Sequence, residues 1–204
     1  MTDFSRNVFV NCPFDDEYRP LLRALLFTVI DCRLNPRIAS ESYDSGQARV
    51  EKIRKLIQRS QWSIHDLSRM EPLSQDALPR FNMPFELGLD FGAKFFGSAG
   101  LRRKRFLILE KGRYRYQRVL SDISGNDIAA HRNEPEKLVR GVRQWIRSEI
   151  SKDVPGPTRL WVRLNEFYRY FVTATSNSGY TSEDREEMGT TEFIDWVNAW
   201  EETR

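Results

Sequence analysis

Three short apolar runs, Asn7–Asn11 (NVFVN), Trp62–Asp66 (WSIHD) and Arg105–Leu109 (RFLIL), limit what this chain can fold into more than any other feature. Each is rich in β-branched or aromatic residues and too short for a helix, whereas the segments between them repeat apolar residues at helical spacing. Residues 17–32 place Leu21, Leu22, Leu25, Leu26, Val29 and Ile30 on one stripe, and residues 47–60 do the same with Val50, Ile53, Leu56 and Ile57. A second short strand is expected at Arg37–Ser40 and a fifth at Asp127–Ala130. Asn82 is a natural N-cap for a helix carrying Phe85, Leu87, Leu89, Phe91 and Phe95, and a further helix runs from Pro135 to about Ile150. Alternation of this kind predicts an α/β fold, a flavodoxin-like open parallel sheet of about five strands with helices on both faces.

The run Val154-Pro155-Gly156-Pro157 breaks the alternation. Beyond it, Leu160, Trp161, Leu164, Phe167, Tyr168, Phe171 and Val172 mark one amphipathic helix, and Phe193, Ile194, Val197 and Trp200 mark another from about Thr190. Residues 1–153 therefore read as the α/β domain. Residues 154–204 read as a helical extension that packs on it or forms an oligomer contact.

With 204 residues, 40% of them hydrophobic, the chain has material for a core and is expected to be globular. Its 32 Lys and Arg against 29 Asp and Glu leave +3, too little for a nucleic-acid footprint. The charge is polarised, with eight basic residues and one acid from Arg102 to Arg118, and eight acids with two arginines in residues 181–204. Contact between these two patches is the simplest account of the near-cancellation. Tyr114 and Tyr116 would let the basic patch stack on nucleic acid, a reading that the balanced total disfavours. Only Cys12 and Cys32 occur, no apolar run approaches the roughly 20 residues of a membrane span, and the N-terminus lacks an export signal, so the expected location is the cytoplasm, with no membrane partner.

Several chemistries are disfavoured by absent motifs. There is no G-x-x-x-x-G-K-[ST] and no G-x-G-x-x-G, so neither common phosphate cradle is present. Two histidines, His65 and His131, and no C-x-x-C or H-E-x-x-H leave little for a metal, so no metal ligands are assigned. No G-x-S-x-G elbow appears. Cys12 follows the first strand as a phosphatase thiolate would, but six residues separate it from Arg19, and Asp15, Asp16 and Glu17 would repel phosphate and raise the thiol pKa.

In an open parallel sheet, ligands sit at the carboxyl ends of the strands where the order reverses, here between the first and third. The flanking loops, 11–18 and 65–82, hold Asn11, Phe14, Asp15, His65, Asp66, Ser68, Arg69 and Asn82, with Glu86 expected in the first turn of the next helix. A helix N-terminus would keep Glu86 ionised, able to attack a sugar anomeric carbon or stabilise an oxocarbenium ion, or simply complementing the dipole. Asp66 is equally a ribose or base ligand or a satisfied strand end, and Phe14 a base-stacking ring or a packing residue.

Val8-Phe9-Val10-Asn11-Cys12-Pro13-Phe14, Ser63-Ile64-His65-Asp66-Leu67-Ser68-Arg69 and Asn82-Met83-Pro84-Phe85-Glu86-Leu87-Gly88, in that order, resemble the nucleoside 2-deoxyribosyltransferase-like and bacterial TIR-like superfamily over roughly residues 7–150. The resemblance implies that Glu86 is the catalytic carboxylate acting on an N-glycosidic bond, that Phe14 and Asp15 line the base pocket, and that Asp66 helps bind base or ribose. Asn11, His65, Ser68, Arg69 and Asn82 join the substrate-binding set by position, and Gly88 would allow close packing of its helix on the sheet. The loop Met70–Arg80 departs from the pattern by its length and polarity.

The implied function is cleavage or transfer of the N-glycosidic bond of NAD, a nucleoside or a nucleotide, with NAD as substrate rather than cofactor and no other cofactor. An effector role in anti-phage defence, a homo-oligomer and a partner protein accompany that reading. The alternative is a nucleotide sensor or interaction module without turnover.

Overall fold

A computed structural model describes residues 4–41, 44–70, 80–113 and 120–203. Five parallel strands form one sheet in the order β2-β1-β3-β4-β5, the flavodoxin-like order expected from the alternation. They are β1 (Asn7–Asn11), β2 (Asn35–Arg37), β3 (Trp62–Asp66), β4 (Arg105–Glu110) and β5 (Ile128–Ala130). The helices of the α/β part are α1 (Arg19–Asp31), α2 (Arg49–Gln58), α3 (Asn82–Phe96) and α4 (Pro135–Glu149). The C-terminal part adds α5 (Pro157–Asn177), α6 (Ser182–Glu187) and α7 (Thr190–Glu202). Among the described residues no helix is long and apolar enough to cross a membrane.

β1 and β3 are buried along their whole length because both faces of a parallel sheet are covered. The two-residue period of the strand then divides the core. Val8 and Val10 face one layer with Ile64, Leu107 and Leu109, against α1 and α4. Phe9 faces the other layer with Ile53, Leu56 and Ile57 of α2. Leu87 of α3 packs with Ile108 on that same side.

The second strand lies two residues earlier than expected, over Asn35–Arg37, paired Asn7 to Asn35, Val8 to Pro36 and Phe9 to Arg37. Pro36 has no N–H, and β2 is an edge strand, where a missing donor costs nothing. Residues 39–41 instead form a single turn, which Glu41 anchors by accepting the Ile38 N–H at 2.7 Å and the Arg37 guanidinium at 2.6 Å.

α1 departs most from the one-stripe expectation. Every residue from Ala24 to Asp31 is buried. A helix apolar on all sides needs a layer on its outside as well as the sheet beneath it, and α5 and α7 supply that layer. Phe27 meets Phe167 at 5.5 Å and Trp200 at 5.6 Å between ring centroids, while Phe167 also stacks with Phe171 and stands edge-on to Phe193. Asp31, at the unfavourable C-terminal end of the α1 dipole, is met by Arg163 of α5 at 2.5 Å, and Arg163 reaches Glu201 of α7 at 3.0 Å.

Among the described residues the expected contact between the basic segment and the acidic tail is not made, Arg115 and Arg118 lying outside them. Within the described residues, Lys104 is fully buried, Arg105 lies 3.9 Å from Glu149 of α4, and Arg102 donates to the Gly97 carbonyl. The tail acids turn elsewhere: Glu201 to Arg163, Glu192 to the Tyr180 hydroxyl, and Asp184 into a capping box with Thr181. Tyr114 and Tyr116 lie outside the described residues.

Gly88 also differs from expectation, since a Cβ there would meet nothing within 4 Å; Gly141 of α4 is the close approach, with Ala129 of β5 3.1 Å from where a Cβ would stand.

This packing makes α5 and α7 part of one cooperative unit with the sheet. Phe167→Ala is expected to lower stability by about 3–5 kcal/mol, with a single urea transition seen equally by tryptophan fluorescence and far-UV circular dichroism. An early separate transition of the C-terminal helices would contradict it.

Candidate functional site

Strand alternation decides which polar groups at the carboxyl edge can meet. His65 and Asp66 are neighbours in β3 and so point to opposite faces of the sheet. His65, fully buried, faces α3 with Phe9 and Phe106 edge-on to its ring. Its Nδ1 accepts from the Asn11 side-chain amide at 3.0 Å, and its Nε2 lies 3.1 Å from the Asp90 carboxylate of α3. An amide donor on Nδ1 places the proton on Nε2, so His65 donates to Asp90. Lys104 reaches Asp90 at 3.1 Å and donates to the Ile57 and Ser60 carbonyls. Burial would raise Asp90, but His65 and Lys104 hold it below the usual carboxylate range. This chain pins α3 to the sheet and places His65 in the interior rather than on a ligand.

Asn11 donates from the same amide to the Met83 carbonyl at 2.9 Å, fixing the start of α3 against β1. Its Oδ1 is buried and has no hydrogen-bond partner among the described residues, and the same holds for the Ser68 hydroxyl.

Asp66, on the other face, is also fully buried. One oxygen accepts the Tyr18 hydroxyl at 2.6 Å and lies 3.0 Å from His131 Nε2; the other accepts the Ser68 backbone N–H at 2.8 Å. Burial opposes its charge, yet His131, Ser68 and Tyr18 together hold its pKa low. With both oxygens engaged, Asp66 joins β3, the β1–α1 loop and the end of β5 and leaves no face for a ribose. Cys12 lies beside this cluster, fully buried, its thiol driven well up first by burial and then by the charges of Asp66, Glu86 and Asp15.

Arg69 closes the gap between the two loops. Its guanidinium grips Asp15 at 3.1 and 3.2 Å and reaches Glu17 at 3.3 Å. Burial would raise Asp15, but Arg69, the Tyr18 N–H and Arg80 hold it low. The crevice expected between the first and third strands is therefore occupied by an ion pair. Residues 71–79 of the second loop lie outside the described residues.

An opening at the carboxyl edge lies on the other side of β1. A cavity of about 550 Å³ runs between the β1–α1 loop, α1, the segment from Ala39 into α2, and the start of α7. Of the anticipated site residues, Phe14 and Asp15 line it; Phe14 is 39% exposed. Arg19, Arg23, Arg49 and Lys52 line it as well, none of them anticipated.

Glu86 stands behind Arg49. The residue is 4% exposed, and its carboxylate lies 3.4 Å from the guanidinium of Arg49, a residue of the cavity lining. Its expected place in the first turn of α3 is corrected: the helix begins at Asn82, so Glu86 sits a full turn inside, where the dipole no longer governs it. Burial raises its pKa, partly offset by Arg49. Asn82 does not cap α3; Phe81 occupies the cap position with helical φ and ψ, makes no side-chain cap bond, and leaves Asn82 as an exposed first helical residue. Among the described residues no group of three or more His, Cys, Asp or Glu side chains is placed to hold a metal ion.

Neither models of known protein families, nor curated proteins, nor solved structures give a match to this chain.

The opposite shifts of Asp66 and Glu86 have opposite consequences for stability. A carboxyl whose folded pKa is raised binds its proton more tightly folded than unfolded, so stability falls as pH rises through that interval. Glu86→Gln is therefore expected to raise the urea midpoint at pH 7, and the gain to vanish below about pH 4.3, where glutamate is protonated in both states. Asp66→Asn is expected to lower the midpoint at pH 7. A Glu86→Gln variant less stable than the parent at pH 7 would contradict the assignment of Glu86 as a strained, buried carboxylate.

Proposed function

We propose that this chain cleaves or transfers the N-glycosidic bond of a nucleotide-type substrate, with Glu86 as the catalytic carboxylate and NAD the first substrate to test. One observation carries the reading: a buried carboxylate with raised pKa whose ion-pair partner, Arg49, lines a nucleotide-sized cavity. Pockets of about 300–1,000 Å³ suit ligands of this size. The resemblance in the order and residues of the three edge motifs supplies the bond.

In this mechanism Arg49 swings from Glu86 onto the ligand, and the ionised Glu86 faces the anomeric carbon. The bond from that carbon to the base nitrogen breaks with its electron pair leaving on the base. Glu86 either captures the cationic sugar or stabilises it until a water oxygen or acceptor base bonds to the same carbon. In hydrolysis the proton lost by the water goes to solvent when nicotinamide leaves NAD as a neutral base, and to the departing base when a nucleoside or nucleotide is cleaved. Phe14, exposed on the cavity rim, offers a face for the base to stack on.

Because Glu86 acts as the anion, activity should rise with pH through its pKa. Arg49→Ala removes the one cation that lowers that pKa in the free protein and is expected to move the acidic limb of kcat/KM to higher pH. Glu86→Gln is expected to cost at least about a hundredfold in release of free base while ligand binding persists. Purified protein is to be incubated at high concentration with NAD and with a panel of nucleosides and nucleotides, the released base being followed by chromatography. No base from any of them would remove the enzymatic reading.

A second reading, a nucleotide sensor without turnover, is favoured by the ion pair itself. Arg49 on Glu86 is a long ion pair, 3.4 Å, that a ligand anion could exchange for itself, releasing the start of α2 from α3. In a sensor built on this pair, Glu86→Gln shifts the ligand-free output towards the ligand-bound one, and no substrate releases free base.

A further inference from the structure

The C-terminal extension does more than cover α1. The start of α7 forms one wall of the cavity through Met188, Gly189, Thr190 and Phe193. Facing it on α1, one turn apart, are Arg19 and Arg23; Arg49 and Lys52 complete the basic lining from α2. Against these four cations the lining holds two carboxylates, Asp15 and Asp44. Asp15 is already engaged by Arg69 at 3.1 Å and Arg80 at 3.7 Å. Arg19 is likewise paired with Asp16 and Arg49 with Glu86 at 3.4 Å, and the lining itself still holds more cations than carboxylates.

Arg23 is the residue that joins the extension to this charge. Its Nη2 donates to the Arg185 carbonyl at 2.5 Å and the Glu186 carbonyl at 3.4 Å, and its guanidinium lies 5.1 Å from the centre of the Phe193 ring. Two carbonyl dipoles and a ring face hold the group in place without neutralising it. Burial and, less strongly, the nearby Arg19 oppose its charge while Tyr168 and Glu186 favour it, and the balance still lies below the ordinary arginine value, a deficit that an incoming anion would relieve. The planar guanidinium retains donors suited to paired phosphate oxygens.

Resting on the reading that the cavity takes a nucleotide-type ligand, we propose that Arg19, Arg23 and the Met188–Phe193 edge form a phosphate-recognition wall, through which the C-terminal extension selects phosphorylated nucleotides over neutral nucleosides. The ligand then lies with its phosphate between α1 and α7, its base towards Phe14, and its sugar towards Arg49 and Glu86.

The test is calorimetric binding to the full chain with three probes: AMP, adenosine and inorganic pyrophosphate. AMP is expected to bind at least about tenfold more tightly than adenosine, to weaken with added salt, and to be displaced by pyrophosphate. Arg23→Gln is expected to remove most of the preference for AMP while adenosine binding is kept, a change of ratio that a merely structural arginine would not produce. Arg19→Gln, at the half-buried first residue of α1, whose ion-pair partner is Asp16 rather than a residue of the extension, should reduce the same ratio and keeps the test open if Arg23→Gln fails to fold. Equal affinity for AMP and adenosine, no binding of either, no displacement by pyrophosphate, or an unchanged ratio in the folded variants would overturn the proposal. AMP binding without release of base from any substrate would leave this wall standing and remove the glycosidic reading. Equal turnover of nucleosides and nucleotides would do the reverse.

Discussion

Burial of α1 on every side is the constraint on which the rest of the structure depends. From Ala24 to Asp31 the helix exposes no residue, so the sheet alone cannot satisfy it, and a second apolar layer must be laid over its outer surface. Phe167, Phe193 and Trp200 are that layer. Dispersion and apolar burial drive the placement, and the Asp31–Arg163–Glu201 chain fixes its register at the far end of the helix. Having been pulled onto α1, the extension necessarily presents the start of α7 at the carboxyl edge, beside Arg23. A packing requirement of the core thus shapes the wall of the cavity.

The polar groups around that edge fall into two kinds. Asp66, Asp90 and Asp15 are each held ionised by close donors and cations, and each ties separate elements together. Glu86 alone among these acids is destabilised as an anion, with one distant arginine as its partner. Three well-satisfied carboxylates thus hold the architecture together, while a fourth, poorly satisfied, is paired with an arginine of the cavity wall, the separation on which the proposed chemical role of Glu86 rests. Environments that push neighbouring carboxyl groups in opposite directions are a common basis for such a division.

Much of this was legible in the sequence because it follows from short-range rules. The bounds of β1 and β3 follow from their β-branched runs, the sheet order from strand–helix alternation, and the entry to α4 from Pro135. The site was read less well for a physical reason that was itself in the sequence: adjacent strand residues face opposite ways, so His65 and Asp66 could not both serve one pocket. Other features depend on long-range packing that no local pattern encodes. Arg49 meets Glu86 across 37 positions, and Arg23 meets Arg185 across 162. The seven residues Ala24–Ile30 do carry a usable signal, an apolar run with Thr28 as its one polar member, too broad for a helix with one solvent-facing side.

Glu86 at the anomeric carbon, with the phosphate held between α1 and α7, is the central claim, and a crystal structure of the Glu86→Gln variant with a bound nucleotide tests it most directly. The account predicts Arg49 turned away from residue 86, the anomeric carbon within about 3.5 Å of the glutamine side chain, and the phosphate at Arg19 and Arg23. A nucleotide bound elsewhere, or one bound in this cavity with Arg49 still covering residue 86, would contradict it.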